Sequence, residues 1–170
     1  MLETMRHRRS IRKFRDGKLT DEEVNRLLNA GLLAPSGHNM RPVEFFVVQD
    51  RETIDRLAAC REGAAGAALK TAPLAIVVTG CHDRSDIWDT DAAIAATHIL
   101  LEASASGLGA CWMQVAHRPC GSGTSEEAVR NLLKIAPALS VLCVLAVGHP
   151  DETKEPYDLE KLDRSKVHWL

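Results

Sequence analysis

The sequence predicts a single-domain protein of the α+β class, and three observations predict it. Its 170 residues suit one compact domain. Hydrophobic residues make up 45% of the chain and charged residues 26%, which is the balance of an ordinary globular protein. Helical and strand-like segments are mixed along the chain, without the strict alternation of a doubly wound sheet. No shift in composition marks a boundary, so residues 1–170 are expected to form one domain.

Capping residues and hydrophobic periodicity predict the helices. Thr20 with Glu23 fits a capping box, as does Thr124 with Glu127, and Asp50 is well placed to cap a helix. The longest predicted helix is Ala-rich and apolar nearly all round, so we expect it to be buried on more than one side. The predicted helices cover 2–9, Thr20 to the region of Gly31–Pro35, 51–60, 63–70, 89–106 and 125–134.

Short apolar and β-branched runs predict four strands, at 44–49, 74–80, 109–115 and 139–148. Residues 34–42 are polar and rich in turn formers, which predicts a loop. The last 20 residues are polar and contain Pro150 and Pro156, so we expect an arm there rather than a core element.

Bulk charge and targeting signals exclude several classes of protein. The net charge of -2 gives no general attraction to nucleic acid or anionic membrane. The N-terminus lacks the apolar stretch of a signal peptide, and no apolar run approaches the ~18 residues of a membrane span. The five cysteines form no CxxC pair, which favours reduced thiols in a cytoplasmic protein. Cys81–Asp83 and His117–Cys120 lack the paired spacing of zinc ligands, so we expect no metal.

The first cluster of candidate binding residues is the basic segment RRSIRKF, at 8–14. Arginine binds phosphate bidentately, and the Ser10 hydroxyl can add a further hydrogen bond. The alternative is a solvated basic face or a loose nucleic-acid arm, which charge alone favours. The sequence leaves both interpretations open.

Two further segments offer ligand-binding groups. In APSGHNMRP, at 34–42, the two prolines stiffen the loop, Gly37 permits close backbone approach, and Ser36 and Asn39 are polar. In GLGACWMQ, at 107–114, backbone N–H groups at a helix-to-strand junction can face a ligand. The alternatives are a turn whose side chains bond their own backbone, and an ordinary helix end followed by a core strand.

Taken together, RRSxRxF, APSxxNxxP and GLGxxW, followed by VGHPDE…KLDRSKVHW, resemble FMN-dependent nitroreductases, and in particular the short members. The matches span nearly the whole chain in the family's order. The resemblance implies a central, mostly antiparallel sheet flanked by helices, in an intertwined homodimer. It also implies that the long helix lies in the dimer core and that residues 151–170 form an arm reaching the partner subunit.

The resemblance implies a cofactor site built from both subunits. Arg8 and Ser10 would hold the FMN phosphate with help from Arg9, and Arg12 would lie near the pyrimidine edge and tune the flavin. Backbone near Met113 and Gln114 would donate to the flavin N5. The other subunit would contribute Pro35, Ser36, Gly37 and Asn39. The basic residue that returns to the phosphate from the tail would be Lys161, with Lys154 as the alternative.

The activity that the resemblance implies is hydride transfer from NAD(P)H through FMN to a small acceptor, such as a nitroaromatic or quinone, in a ping-pong scheme. The flavin N5 would be the reactive centre, so no catalytic side chain is expected. Alternatives on the same scaffold are reductive dehalogenation, enone reduction and flavin breakdown. A nucleic-acid or partner-binding module using the basic N-terminus is the alternative from another class.

The chain departs from the family pattern in three respects. It is short, so the helical insertion that covers the active site in longer members is expected to be reduced. The other two departures are local. The common Gln-Pro-Trp reads Arg41-Pro42-Val43, and the Glu-Asn pair of the long helix reads Thr97-His98. On this helix we expect His98 to be a packed, hydrogen-bonded core residue. The first local departure replaces an aromatic side chain and introduces a charge, which bears on the identity of the substrate.

Overall fold

A computed structural model of the protein describes residues 1–61 and 64–170. The helices are α1 (Leu2–His7), α2 (Asp21–Leu32), α3 (Arg51–Ala59), α4 (Ala64–Ala67), α5 (Trp88–Ala105) and α6 (Ser125–Leu133). The strands are β1 (Val43–Val48), β2 (Leu74–Cys81), β3 (Gly109–Gln114), β4 (Pro119–Cys120), β5 (Gly123–Thr124) and β6 (Leu139–Gly148). Short 3-10 turns cover Gly37–Asn39, Ala68–Lys70, Leu159–Lys161 and Arg164–Lys166.

Four strands form one sheet in the order β1-β2-β6-β3, and every neighbouring pair is antiparallel. The two central strands are the two most continuously apolar runs of the chain, and nearly all of their residues are buried. Burial on both faces of the sheet explains why these strands do not alternate between apolar and polar residues. The predicted α+β class and antiparallel sheet are confirmed.

Helices cover both faces of this sheet. On one face, Leu57 of α3 and Val129 of α6 belong to a buried cluster with alternate residues of β2, β3 and β6. On the other face, Leu27 of α2 and Ile99 of α5 pack against the intervening residues. Successive side chains of a strand point to opposite faces, so each central strand contributes to both clusters.

The capping predictions are confirmed in detail. The Thr20 and Thr124 hydroxyls accept from the N–H groups of Glu23 and Glu127, whose carboxylates accept in return. These hydrogen bonds lower the pKa of both glutamates. Asp50 caps α3 through the N–H of Thr53.

Two predicted helices differ in extent, and one hairpin was not predicted. The helix predicted over 2–9 ends at His7, because the chain becomes extended at Arg8. The helix predicted over 63–70 is α4 followed by a 3-10 turn, and Gly63 lies outside the described residues. The two-residue strands β4 and β5 form a hairpin that was not predicted, since neither is long enough to show a period.

Across the described part of the chain, no helix combines the length and apolar character that a bilayer span requires.

Candidate functional site

The basic segment is held between the open edge of β3 and the start of the tail. The N–H of Ile11 donates to the carbonyl of Ala110 at 3.0 Å. On the other side, the N–H of Asp151 donates to the carbonyl of Lys13 at 2.9 Å. The basic segment is therefore fixed by backbone hydrogen bonds, which excludes a loose arm.

The carboxylate of Glu152 fixes the same segment. Its Oε1 accepts from the N–H of Arg12, and from the N–H of Lys13 at 3.3 Å. The ammonium of Lys154 lies 3.6 Å from the same oxygen. The hydrogen bond from Arg12, and to a smaller extent the charge of Lys154, lower the pKa of Glu152 against the opposing effect of burial.

Beside this segment lies a cleft of about 250 Å³ whose charged lining is mainly basic. Arg8, Arg9 and Lys154 line it, together with Glu152 and parts of β3 and the C-terminal half of α5. The Lys154 ammonium donates to the carbonyl of Ser10. Three cations against one carboxylate give this cleft the composition of an anion site.

Two of these cations are held in place by neighbouring groups. The Arg9 guanidinium lies over the ring of Tyr157, 4.5 Å from its centroid, and donates to the carbonyl of Glu155. Lys154 is held by Glu152 and the Ser10 carbonyl, and only 26% of its side chain is exposed. Cations held in this way lose less side-chain entropy when an anion binds.

The other predicted cofactor residues of the basic segment and the tail make different contacts in the subunit. Ser10 contributes its carbonyl to the Lys154 contact, and Arg12 is exposed, with its backbone N–H directed to Glu152. Lys161 has 83% of its side chain exposed and pairs with Asp158 at 3.5 Å. In this subunit the tail lysine at the cleft is therefore Lys154. Contact of the Ser10 and Lys161 side chains with the phosphate, and of Arg12 with the pyrimidine edge of the flavin, stays a prediction.

The loop at 34–42 is fixed by a buried acid that sequence reasoning missed. Asp91, at 1% exposure, accepts from the N–H of Gly37 at 2.9 Å and from the Ser85 hydroxyl at 3.2 Å. The sequence signal that could have identified Asp91 is its place in the first turn of α5, where a negative charge interacts favourably with the helix dipole. The loop is thus attached to the start of α5.

Backbone strain is concentrated in this loop. His38, Asn39 and Arg41 all have left-handed backbone angles, with φ of 49°, 56° and 47°. Residues other than glycine adopt this region only where surrounding contacts hold them there. One such contact is the Ser36 hydroxyl, which accepts from the N–H of Arg41 at 2.8 Å.

A single subunit does not bring the cleft and this loop together. The cleft is lined by Leu100 and Ser104, whereas the loop is attached at Asp91. At about 1.5 Å per residue, Asp91 and Ser104 are about 20 Å apart along the helix axis. One subunit therefore carries two separate parts of the predicted site.

Strand β3 presents backbone donors at its open edge. Ala110 directs its carbonyl outward, to Ile11. Because backbone groups alternate between the two sides of a strand, the N–H of Gln114 faces the same edge and that of Met113 points towards β6. Of the two predicted backbone donors, the Gln114 N–H lies on the accessible side. The Gln114 side chain accepts from the Trp112 indole at 2.8 Å.

An apolar groove runs along the outer face of α5, with a volume of about 390 Å³. His98, Leu101 and Ala105 line it at helical spacing, and Leu33, 80% exposed, lies at the end of α2. The prediction that His98 is a core residue is wrong, because its side chain is only partly buried and lines this groove. Helix α5 is thus apolar on this side as well as on its buried side, and the burial of this second side stays a prediction.

Cysteine chemistry plays no visible part in the site. All five cysteines are free thiols, and burial raises the pKa of Cys111, which lies beneath the basic segment. A buried, protonated thiol is a poor nucleophile. In the residues that the structure describes, no group of three or more His, Cys, Asp or Glu side chains could hold a metal ion.

Comparison with known proteins gives consistent matches over nearly the whole chain. The model of the nitroreductase family matches residues 5–65 and 60–149. A solved FMN-dependent nitroreductase from Clostridium difficile R20291 is 40% identical, with a TM-score of 0.96 over 99% of this chain and 98% of that one. A provisionally named NADH dehydrogenase/NAD(P)H nitroreductase of Archaeoglobus fulgidus is 33% identical over 95% of this chain and 92% of its own. A provisionally named nitroreductase of Desulfovibrio desulfuricans, solved in complex with FMN, is 30% identical, with a TM-score of 0.76 over 94% of this chain and 92% of that one.

Proposed function

The chain belongs to the nitroreductase family, and we propose that it is an FMN-dependent oxidoreductase that reduces small electrophilic organic acceptors with NAD(P)H. Nitroaromatics and quinones are the proposed acceptors, in a ping-pong scheme in which donor and acceptor use the same site in turn. The observation that carries the proposal is the basic cleft beside the segment that the family resemblance assigns to the FMN phosphate.

The residues of the cleft fit the phosphate end of FMN. A phosphate monoester carries close to two negative charges at pH 7. Arg8, Arg9 and Lys154 supply three cations, and Glu152 neutralises part of one of them. Ser10 lies in the same segment and would add its hydroxyl.

Backbone and fixed charge would orient the rest of the cofactor. Ala110 lines the cleft and Gln114 lies four residues farther along the same strand, so the Gln114 N–H is the proposed donor to the flavin N5. Arg12 is the proposed cation that stabilises negative charge on the flavin's pyrimidine edge. Bound FMN supplies the ring system that accepts two electrons and passes them on, while the chain orients it and tunes it electrostatically.

A second subunit would complete the site. Packing α5 antiparallel against its copy would bring the Asp91 end of one helix beside the Ser104 end of the other. This arrangement would place Pro35, Ser36, Gly37 and Asn39 of one subunit at the cofactor of its partner. The apolar groove supports it, because the surface beside His98 and Leu101 would then be buried. The arm at 151–170 would extend this interface, since Trp169 is 93% exposed in the isolated subunit.

The first experiment is the visible absorption spectrum of the purified protein, with the chromophore identified after denaturation. We expect FMN, and NAD(P)H oxidation that depends on an added nitroaromatic or quinone. Parallel double-reciprocal plots would support the ping-pong scheme. A colourless protein that binds no FMN would contradict the proposal.

Two further measurements test how the site is built. Arg8→Ala should weaken FMN affinity about ten- to a hundredfold with the fold intact, because it removes a charge-assisted hydrogen bond. Unchanged affinity would exclude Arg8 from the phosphate site. Sedimentation should show a dimer, and a stable, flavin-loaded monomer would exclude the two-subunit site.

A further inference from the structure

A second pocket, of about 370 Å³, lies between the end of α2, strand β1 and the first turns of α5. Its apolar lining includes Val43 and Phe45 of β1 and Ala95 of α5. The loop at 34–42 contributes Pro35 and the exposed Arg41. The pocket therefore combines an apolar interior with a positive charge that solvent reaches.

The pocket coincides with the place where this chain departs from the family pattern. The family resemblance described above implies Gln-Pro-Trp where this chain has Arg41-Pro42-Val43. Val43 packs against the cluster formed by α2 and α5, so a tryptophan at this position would project into the same space. Replacing it with valine leaves room for a ligand, and the preceding substitution supplies a cation beside that room.

Arg41 is held in position at three points. Its N–H donates to the Ser36 hydroxyl at 2.8 Å, and its Nε donates to Asn39 Oδ1 at 2.9 Å. Its carbonyl accepts from Nη1 of Arg84 at 3.1 Å. These contacts maintain the left-handed backbone, with φ of 47°. Within residues 1–61 and 64–170, neither Nη atom of Arg41 forms a hydrogen bond or ion pair, so both can donate to a ligand.

The one carboxylate that lines the pocket is already occupied. Asp91 accepts from Gly37 and Ser85 and is 1% exposed. A ligand carboxylate at Arg41 therefore faces no competing acid within the pocket. Arginine binds carboxylates bidentately, which gives geometric selectivity in addition to attraction.

We propose that this pocket binds a small aromatic acid, with the ring against Val43 and Phe45 and the carboxylate on the Arg41 guanidinium. The preferred acceptors would then be nitroaromatic acids rather than neutral nitroaromatics. The reduction of these acids rests on the proposed function, because it requires the flavin that the partner subunit would place beside the loop at 34–42. Binding of the acid in the pocket does not depend on the proposed function.

The kinetic test compares 4-nitrobenzoate with its neutral analogue 4-nitrobenzamide. Wild type should have the higher kcat/KM for the acid. Arg41→Gln, which carries the family's common residue, should lower kcat/KM for the acid about ten- to a hundredfold and leave the amide unchanged. Arg118→Gln, on an exposed residue outside the pocket, controls for the change in net charge. An equal loss for acid and amide in Arg41→Gln would overturn the inference.

A binding test separates this inference from the proposed function. Calorimetry with the purified protein should detect benzoate but much weaker benzamide binding, and Val43→Trp should remove benzoate binding by filling the pocket. Benzoate binding that depends on both residues, without any turnover, would leave the site standing and overturn the proposed reaction. Equal benzoate affinity in wild type and Arg41→Gln, or binding that survives Val43→Trp, would overturn the site even in an active enzyme.

Discussion

Replacing Lys154 tests whether the cleft is a phosphate site. Lys154→Met removes the ammonium but keeps an unbranched stem of similar length. A charge-assisted hydrogen bond to phosphate contributes about 1.5–3 kcal/mol. Because Glu152 lies 3.6 Å from the same ammonium, part of its charge is already neutralised, and the lower half of that range applies. We therefore expect about a ten- to fortyfold loss of FMN affinity.

The assay is a fluorescence titration with FMN and, in parallel, with riboflavin, which lacks the phosphate. Lys154→Met should lower the affinity for FMN and leave that for riboflavin unchanged. Lys161→Met is the matched control, because 83% of that side chain is exposed and its ion-pair partner among the described residues is Asp158. Thermal unfolding of both variants checks that the tail remains docked.

Two results would refute the reasoning. An equal loss for FMN and riboflavin would mean that Lys154 supports the basic segment structurally and does not meet the phosphate. A loss of FMN affinity confined to Lys161→Met would mean that the tail of the other subunit supplies the basic residue.

Three further predictions concern the flavin, the tail and the core. Arg12→Ala should lower the midpoint potential of bound FMN by a few tens of millivolts, at ~30 mV for each 1.4 kcal/mol. Arg12→Lys should keep most of the wild-type potential, because it keeps the charge. Equal potentials of wild type and Arg12→Ala in a redox titration would exclude tuning by Arg12. The hydrogen bond from Arg12 to the Glu152 carboxylate should stabilise the fold fully above the ordinary glutamate pKa of about 4.3. This stabilisation should be lost as the pH falls through the lowered pKa of Glu152. The amide resonance of Arg12 should therefore titrate below about pH 4.3 in wild type and not in Glu152→Gln. Gly80→Ala should destabilise the fold by about 1–3 kcal/mol through overpacking. The added Cβ would lie 2.7 Å from the ring of Trp88 and 3.1 Å from the carbonyl oxygen of Trp88. An unchanged midpoint of urea unfolding would contradict this prediction.

The secondary structure was predictable because its signals are local. The capping boxes at Thr20 and Thr124 mark helix starts within a few residues, and the observed starts are Asp21 and Ser125. The strand predicted at 139–148 has the observed bounds, since a long, continuous apolar run admits few alternatives. Strand order depends on contacts between distant residues and was not predicted, and the expectation of a mostly antiparallel sheet came from the family resemblance.

The site was predictable only in part, because its details depend on long-range contacts. Motifs identified Arg8 and the loop at 34–42, but no pattern linked Glu152 to the N–H of Arg12, or Asp91 to Gly37. The choice of Lys161 over Lys154 relied on the family resemblance, because the tail is irregular and has no period that fixes which residue faces the cleft. Sequence reasoning also had no means of finding the pocket at Arg41, which exists only once α2, β1 and α5 are packed.

The Lys154 contact with Ser10, which joins residues 144 positions apart, has a consequence for how the protein is made. Contacts between distant parts of a chain require the closure of large loops, so they form late in folding. During synthesis the sheet lacks β6, and the basic segment lacks its outer neighbours, until residues 139–155 have left the ribosome. A nascent chain can therefore hold its first helices well before it can retain a cofactor. Loading with FMN therefore has to follow translation of the tail.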